Sequence, residues 1–161
     1  MLKIYSKGCE YAIRALSRIH QNDYRKGFSV NIICKRARIP VWFTRKIFQA
    51  LVKHSILITK RGPGGGYRFK KNPSRISLLS IVEAIDGEDV FKKCVLGRSK
   101  CNDLKSCVAH FIWRKARVTL ISKLRSTTIK QLMNKGIKVH SYSCNGQKNK
   151  RNNLIGDSLE K

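Results

Sequence analysis

The stretch Ile56-Leu57-Ile58-Thr59-Lys60-Arg61-Gly62-Pro63-Gly64-Gly65-Gly66-Tyr67-Arg68-Phe69 decides the fold. Residues 56–59 form a short apolar strand, residues 60–66 turn, and Tyr67-Arg68-Phe69 returns. Four glycines around one proline supply the φ > 0 positions that a hairpin tip requires. A β-hairpin is therefore expected, with Arg61 and Arg68 near its tip. A glycine-rich loop can also cradle phosphate, but a nucleotide P-loop ends in Gly-Lys-Ser/Thr and opens a helix. This loop runs into Tyr67-Arg68-Phe69 instead, which excludes the nucleotide reading.

Upstream, Tyr11, Ala12, Ala15, Leu16 and Ile19 recur at helical spacing, so an amphipathic helix is expected to end before Asn22-Asp23. Ser29 stands where an N-cap belongs, ahead of a second helix with Ile32, Ile33, Ala37 and Ile39. Pro40 halts that helix, because proline lacks the amide donor and biases Ile39 away from the α region. A third helix over about residues 41–54 places Phe43, Ile47, Phe48, Leu51 and Val52 on an apolar stripe. Its polar side carries Thr44, Arg45, Lys46, Gln49 and Lys53. Two short helices joined by a tight turn, a basic face and a hairpin make a winged helix-turn-helix. The fold class is mainly α with a small β-wing.

Downstream, residues 76–85 make one more helix, closed by Asp86-Gly87 with Gly87 at the C-cap. Residues 88–105 have no period and read as a loop. Residues 111–133 then read as one long helix, with Trp113, Ala116, Leu120 and Leu124 near heptad spacing. At ~1.5 Å per residue it would span roughly 35 Å, more than the preceding domain can cover. Its seam wants a partner, most simply a second copy of the chain; the alternative is a helix folded back on its own domain. The organisation expected is a DNA-binding domain over 1–87, a cysteine-rich loop over 88–110, a dimerisation helix over 111–133 and a basic, disordered tail over 134–161.

The 161 residues carry 35 Lys+Arg against 9 Asp+Glu, a net charge of +26. Between residues 24 and 82 there are fourteen Lys/Arg and no Asp/Glu; carboxylates resume at Glu83, Asp86, Glu88 and Asp89. So lopsided a block points to a polyanion, and here to nucleic acid. The hydrophobic fraction of 42% suffices for a core. No apolar run approaches the ~20 residues of a membrane span, and the first ten residues lack the pattern of a secretory signal. A reducing, cytoplasmic and nucleoid-associated location is expected, or a plastid stroma for an organelle-encoded chain. Paired carboxylates in a cleft and a Ser/His/Asp set are both lacking, and the four histidines are scattered at 20, 54, 110 and 140. The sequence does not read as an enzyme.

In a reducing compartment six cysteines are thiols or metal ligands rather than disulfides. Cys94, Cys101 and Cys107 fall within fourteen residues, and His110 lies three beyond the last. The segments between them are polar and cannot bury thiols as small hydrophobes, while Arg98, Lys100 and Lys105 would offset thiolate charge. With Cys107 and His110 at the start of a helix, their spacing puts both on one face. Cys3His is an acceptable zinc set, but gaps of six and five residues are wider than zinc knuckles use and suit an iron–sulfur cluster better. Cys34 reads as core, Cys144 as an exposed tail thiol, and Cys9 as ambiguous.

Residues 10–16 (Glu-Tyr-Ala-Ile-Arg-Ala-Leu) resemble the opening helix of the IscR/NsrR-type regulators, also called the Rrf-two family. Ile39-Pro40 followed by Phe43 and Lys46-Ile47 resembles their recognition-helix entry, Arg61 to Tyr67 their wing, and Ile76-Ser77-Leu78 with Glu83 to Gly87 the helix after it. Cys94, Cys101, Cys107, His110 and Trp113-Arg114 resemble the cluster loop and dimer-helix start of the iron–sulfur branch. The resemblance covers about residues 1–133. It implies a homodimer that reads double-stranded DNA, with a cluster on Cys94, Cys101 and Cys107. The fourth ligand would be His110, as in IscR-like members, or Glu10 reaching across from the other subunit, as in NsrR-like ones. The reading adopted is His110 and a 2Fe–2S rather than a 4Fe–4S cluster. Thr44, Arg45 and Gln49 would face base edges and Arg61 the minor groove, with Lys46, Lys53, Lys60 and Arg68 on phosphates. A regulator of the same family without a cluster, sensing through thiols or a metabolite, or holding structural zinc, is the alternative.

Overall fold

The computed structural model describes residues 4–62, 65–94, 96 and 107–135; Cys101, Cys144 and all of the expected tail beyond residue 135 lie outside them. Helix α1 (Lys7–Ser17) starts at Ser6, whose hydroxyl accepts from the Cys9 amide at 3.1 Å. The Ser6 amide and hydroxyl both donate to the Asp86 carboxylate, the former at 2.7 Å, and so tie the head of α1 to a residue eighty positions away. A short helix α2 (Gln21–Lys26) follows. It was not foreseen, because Gln-Asn-Asp-Tyr-Arg-Lys carries no apolar period.

Helix α3 (Val30–Ala37) ends where Arg38 enters the left-handed region at φ 53. Pro40 stands two residues further on, at the N-cap of α4 (Val41–Lys53). Strand β1 (Leu57–Lys60) pairs antiparallel with β2 (Gly66–Phe69), Leu57 opposite Phe69 and Lys60 opposite Gly66. Phe28 adds a third short edge, since its amide and carbonyl exchange bonds of 2.8 and 2.9 Å with Tyr67. Side chains of α1, α3, α4 and the wing meet in one core, in which Leu16, Ile33, Phe48, Leu51 and Leu57 are fully buried. Helix α5 (Leu78–Asp86) is capped by Ser77 and ends at Gly87, whose φ of +87 suits glycine. The expected winged helix-turn-helix is present.

The long helix expected over residues 111–133 is two helices. Helix α6 (His110–Ser126) stops at Thr127, and α7 (Ile129–Lys135) follows. Two sets of bonds make the break. Leu78 donates to the Thr127 carbonyl at 2.8 Å and Ile129 to the Ile76 carbonyl at 2.9 Å, so residues 127–129 run as a strand against the entry of α5. Thr128 and Gln131 then form a reciprocal cap, each side chain accepting from the other's amide, at 3.3 and 2.8 Å. Ile129 is thereby fully buried in the main core.

The seam expected on the long helix also divides. Leu120 and Leu124, with Ile121, pack on a second, smaller core of Cys9, Leu79, Val82 and Phe91. The reading of a helix folded back on its own domain holds for these residues. The face turned to solvent is a different one, with Val108, Phe111, Ile112 and Val118 exposed.

Candidate DNA interface and cysteine site

Helix α4 buries Thr44, Ile47, Phe48 and Leu51 and turns Trp42, Arg45, Lys46, Gln49 and Lys53 outward. The outward residues are spaced by three or four, so they form one stripe along the helix. Arg45 reaches back to Asn31 on α3, donating to its side-chain oxygen at 3.4 Å. Trp42, at 67% exposure, belongs to the stripe and was unassigned in the sequence reading. Its signal was there: it lies one turn before Arg45 and Lys46 on the same face.

Thr44 is a correction. Expected to face a base edge, it is fully buried, and its hydroxyl donates to the Pro40 carbonyl at 2.7 Å. Its position follows the core residues Ile47, Phe48 and Leu51 rather than Arg45. A threonine can satisfy its hydroxyl on the carbonyl four residues back, so polarity alone does not place it outside.

Of the two arginines expected near the wing tip, Arg61 stands there, and Arg68 sits further down the ladder. Arg61 and Arg68 are exposed, Arg68 opposite Ile58 in the ladder. Gly62 turns the tip at φ +95, which an L side chain rarely adopts. Gly66 is required for another reason, because a Cβ there would collide with the Phe28 carbonyl oxygen. Lys60 donates to the Lys26 carbonyl at 3.0 Å, tying the tip end of the wing ladder to the end of α2.

Two of the four expected donors, Cys107 and His110, stand at the head of α6, and Cys94 directly follows Lys93, whose carbonyl is bound from that helix. His110 is its first residue and is 4% exposed; its amide donates to the Cys107 carbonyl at 2.8 Å. Cys94 follows a 3-10 turn at Glu88–Phe91 and is buried. The end of that turn and the residues leading to Cys94 are strapped to α6: the Trp113 indole donates to the Lys93 carbonyl at 3.1 Å and Arg117 to the Phe91 carbonyl at 3.4 Å. Cys107 is half-buried. Among the described residues no three donors close into a metal-holding group, and Cys101 lies outside them. Cys107 and His110 at one helix end, with Cys94 on the segment bound to that helix, have the donor chemistry of the soft-ligand site that the spacing implied.

The other cysteines separate by burial. Cys34 is 1% exposed in the main core, as expected. Cys9 is fully buried in the second core, and burial, with the Asp86 carboxylate adding to it, pushes its thiol up to about 12. It is a protonated core residue. Glu10 beside it faces out and is held by Lys7 at 2.8 Å and Arg14 at 3.4 Å on its own helix.

A family model described as "Iron-dependent Transcriptional regulator", Rrf2, matches residues 5–135. The HTH-type transcriptional regulator IscR of Vibrio atlanticus is 30% identical over 132 residues, covering 82% of this chain and 75% of its own length. Two solved structures show the same fold. CymR, the global cysteine regulator of B. subtilis, aligns with a TM-score of 0.66 at 19% identity over 84% of this chain and 98% of its own. IscR of T. potens aligns with a TM-score of 0.63 at 18% identity over 81% and 85%. With the family model spanning nearly every described residue, this chain belongs to the Rrf2 family of DNA-binding transcriptional regulators.

Proposed function

We propose that this regulator binds operator DNA as a homodimer and that an iron–sulfur cluster, 2Fe–2S in preference to 4Fe–4S, sets its affinity. Cys94, Cys101, Cys107 and His110 would hold the cluster. The observation that carries this reading is buried His110 beside Cys107 at the head of α6, with the segment that leads to Cys94 bound to the same helix. Glu10 is the poorer fourth donor, since it would have to leave Lys7 and Arg14. When bound, such a cluster supplies a redox-active and chemically labile centre.

The chain's own residues carry the signal onward. Leu120, Ile121 and Leu124 dock α6 onto Leu79 and Val82 of α5 and Cys9 of α1, and α1 in turn packs against α4. A tilt at the head of α6 would therefore be passed to the recognition helix. Arg45 and Gln49 would meet base edges, Arg61 the minor groove, and Lys46, Lys53, Lys60 and Arg68 phosphates. The second copy would cover the exposed face at Val108, Phe111, Ile112 and Val118.

Protein purified without oxygen is expected to contain iron and acid-labile sulfide and to absorb in the visible, with all three lost in Cys101→Ala and Cys107→Ala. Zinc without sulfide would replace the cluster by a structural site. Neither metal, with DNA affinity that follows thiol oxidation, would leave the thiol-sensing reading.

A further inference from the structure

A cleft of about 260 Å³ opens between the end of α4, the exit of the wing and α5. Its floor includes the buried side chains of Ile76 and Ala84. Lys71 and Arg75 line it from the segment after β2, and Glu83 and Glu88 from α5 and the turn beyond. No ion pair among the described residues joins these four groups. Two cations and two carboxylates thus share one small cleft without neutralising each other directly.

That balance is out of character with the rest of the molecule. The chain has 35 cationic side chains and 9 carboxylates, and two of the nine stand here. Glu83 is the first carboxylate after the 59 residues of 24–82 that have none. With Glu83 and Glu88 set beside Lys71 and Arg75, the cleft lacks the uniformly positive charge that holds a phosphate backbone. A simple anion would meet the same repulsion, and a simple cation would meet Lys71 and Arg75. The occupant that satisfies both pairs carries both charges close together.

We propose that this cleft binds a small zwitterion, specifically a free α-amino acid with a short side chain. Its carboxylate would pair with Lys71 and Arg75 and its ammonium with Glu83 and Glu88. The cleft's volume of about 260 Å³ suits a ligand of this size. Because His54 and Ser55 at the end of α4 also line the cleft, the occupant would brace the recognition helix against the wing. That consequence for DNA rests on the proposed operator binding, whereas amino-acid binding itself does not.

Isothermal titration of the full chain with L-alanine, L-serine and L-cysteine in turn, beside acetate and methylammonium, tests the site. At least one amino acid is expected to bind saturably, while neither acetate nor methylammonium does at the same concentration. Glu83→Gln and Arg75→Gln are each expected to weaken binding at least about tenfold, about 1.4 kcal/mol, with thermal midpoints unchanged. Lys71→Gln, at an exposed position, stands in for either variant that fails to fold. The proposal is overturned if no amino acid saturates, if acetate alone binds as well, or if the variants bind like the parent chain. DNA affinity measured on the same samples separates a failure of this site from a failure of the operator reading.

Discussion

Phe48 lies in a core that α1, α3, α4 and the wing all enter, whereas Phe91 lies in a smaller one with Cys9, Leu79 and Val82, covered by α6. The first core also takes in Ile76, Ile81 and Ala84 around α5 and Ile129 of α7, and it holds recognition helix against wing. The second joins Cys9 of α1 and Leu79 and Val82 of α5 to Phe91 and to the later turns of α6. On the proposed function, DNA reading and signal transfer would rest on different packing, joined at α1 and α5. Phe48→Ala is expected to cost ~3–5 kcal/mol of folding stability, measured by denaturant unfolding, and to abolish DNA binding at physiological temperature. Phe91→Ala is expected at the low end of that range, because half-exposed Leu120 and Leu124 can settle into the gap. It should leave DNA affinity in place while cutting its response to the state of the cysteines. Equal loss of DNA binding in both variants would show that the two cores act as one.

The next largest effect belongs to the DNA face. Arg45→Ala or Gln49→Ala is expected to cost ~1–3 kcal/mol in operator affinity and to relax specificity at one position, with little change in thermal midpoint. Thr44→Val reverses the pattern. It removes the hydroxyl bond to Pro40, costing ~0.5–1.5 kcal/mol of stability, and leaves operator affinity unchanged. A Thr44→Val protein that unfolds normally but binds operator poorly would return Thr44 to the base-reading set.

The reading head was legible because its signals are local. Gly62 and Gly66 mark the wing, and the stripe of Ile47, Phe48 and Leu51 marks the buried side of α4. What escaped the sequence reading is decided at a distance. Residues 111–133 keep a helical apolar period throughout, but the chain breaks at Thr127 because Ile76 and Leu78, some fifty positions earlier, take its backbone bonds. The Thr128–Gln131 cap was visible as Thr-x-x-Gln, yet such a pair is also tolerated inside a helix. Thr44 was misplaced for a smaller reason, its hydroxyl being satisfied within its own helix. Of the cysteine site, the spacing was legible and the straps were not: neither Trp113 to Lys93 nor Arg117 to Phe91 leaves a pattern in the sequence.

Those straps make the third prediction. Trp113→Phe keeps the ring and removes the indole donor, so it should cost ~0.5–1.5 kcal/mol of stability. Iron and sulfide retention after desalting should fall, since Cys94 is no longer held against α6, while DNA contacts stay as they were. Retention equal to the parent chain would mean that Cys94 is positioned without the strap.

The smallest effect is expected at Cys9, and it tests whether the second core is closed. Burial beside Leu79, Val82 and Phe91, with the Asp86 carboxylate adding to it, pushes the Cys9 thiol up to about 12. In the unfolded chain the same thiol loses its proton from about pH 8.5. Between those values the folded state binds more protons than the unfolded one, so stability falls as pH rises through that window and is untouched below it. Cys9→Ala should remove this alkaline loss and change little at neutral pH beyond the cost of a small cavity. At about pH 8, iodoacetamide should modify half-buried Cys107 in metal-free folded protein and leave Cys9 alone, since the thiolate is the reactive form. Cys9 labelled as fast as Cys107 would mean that α6 lifts off the second core, and a helix that lifts off cannot pass a tilt from the cysteines to α1.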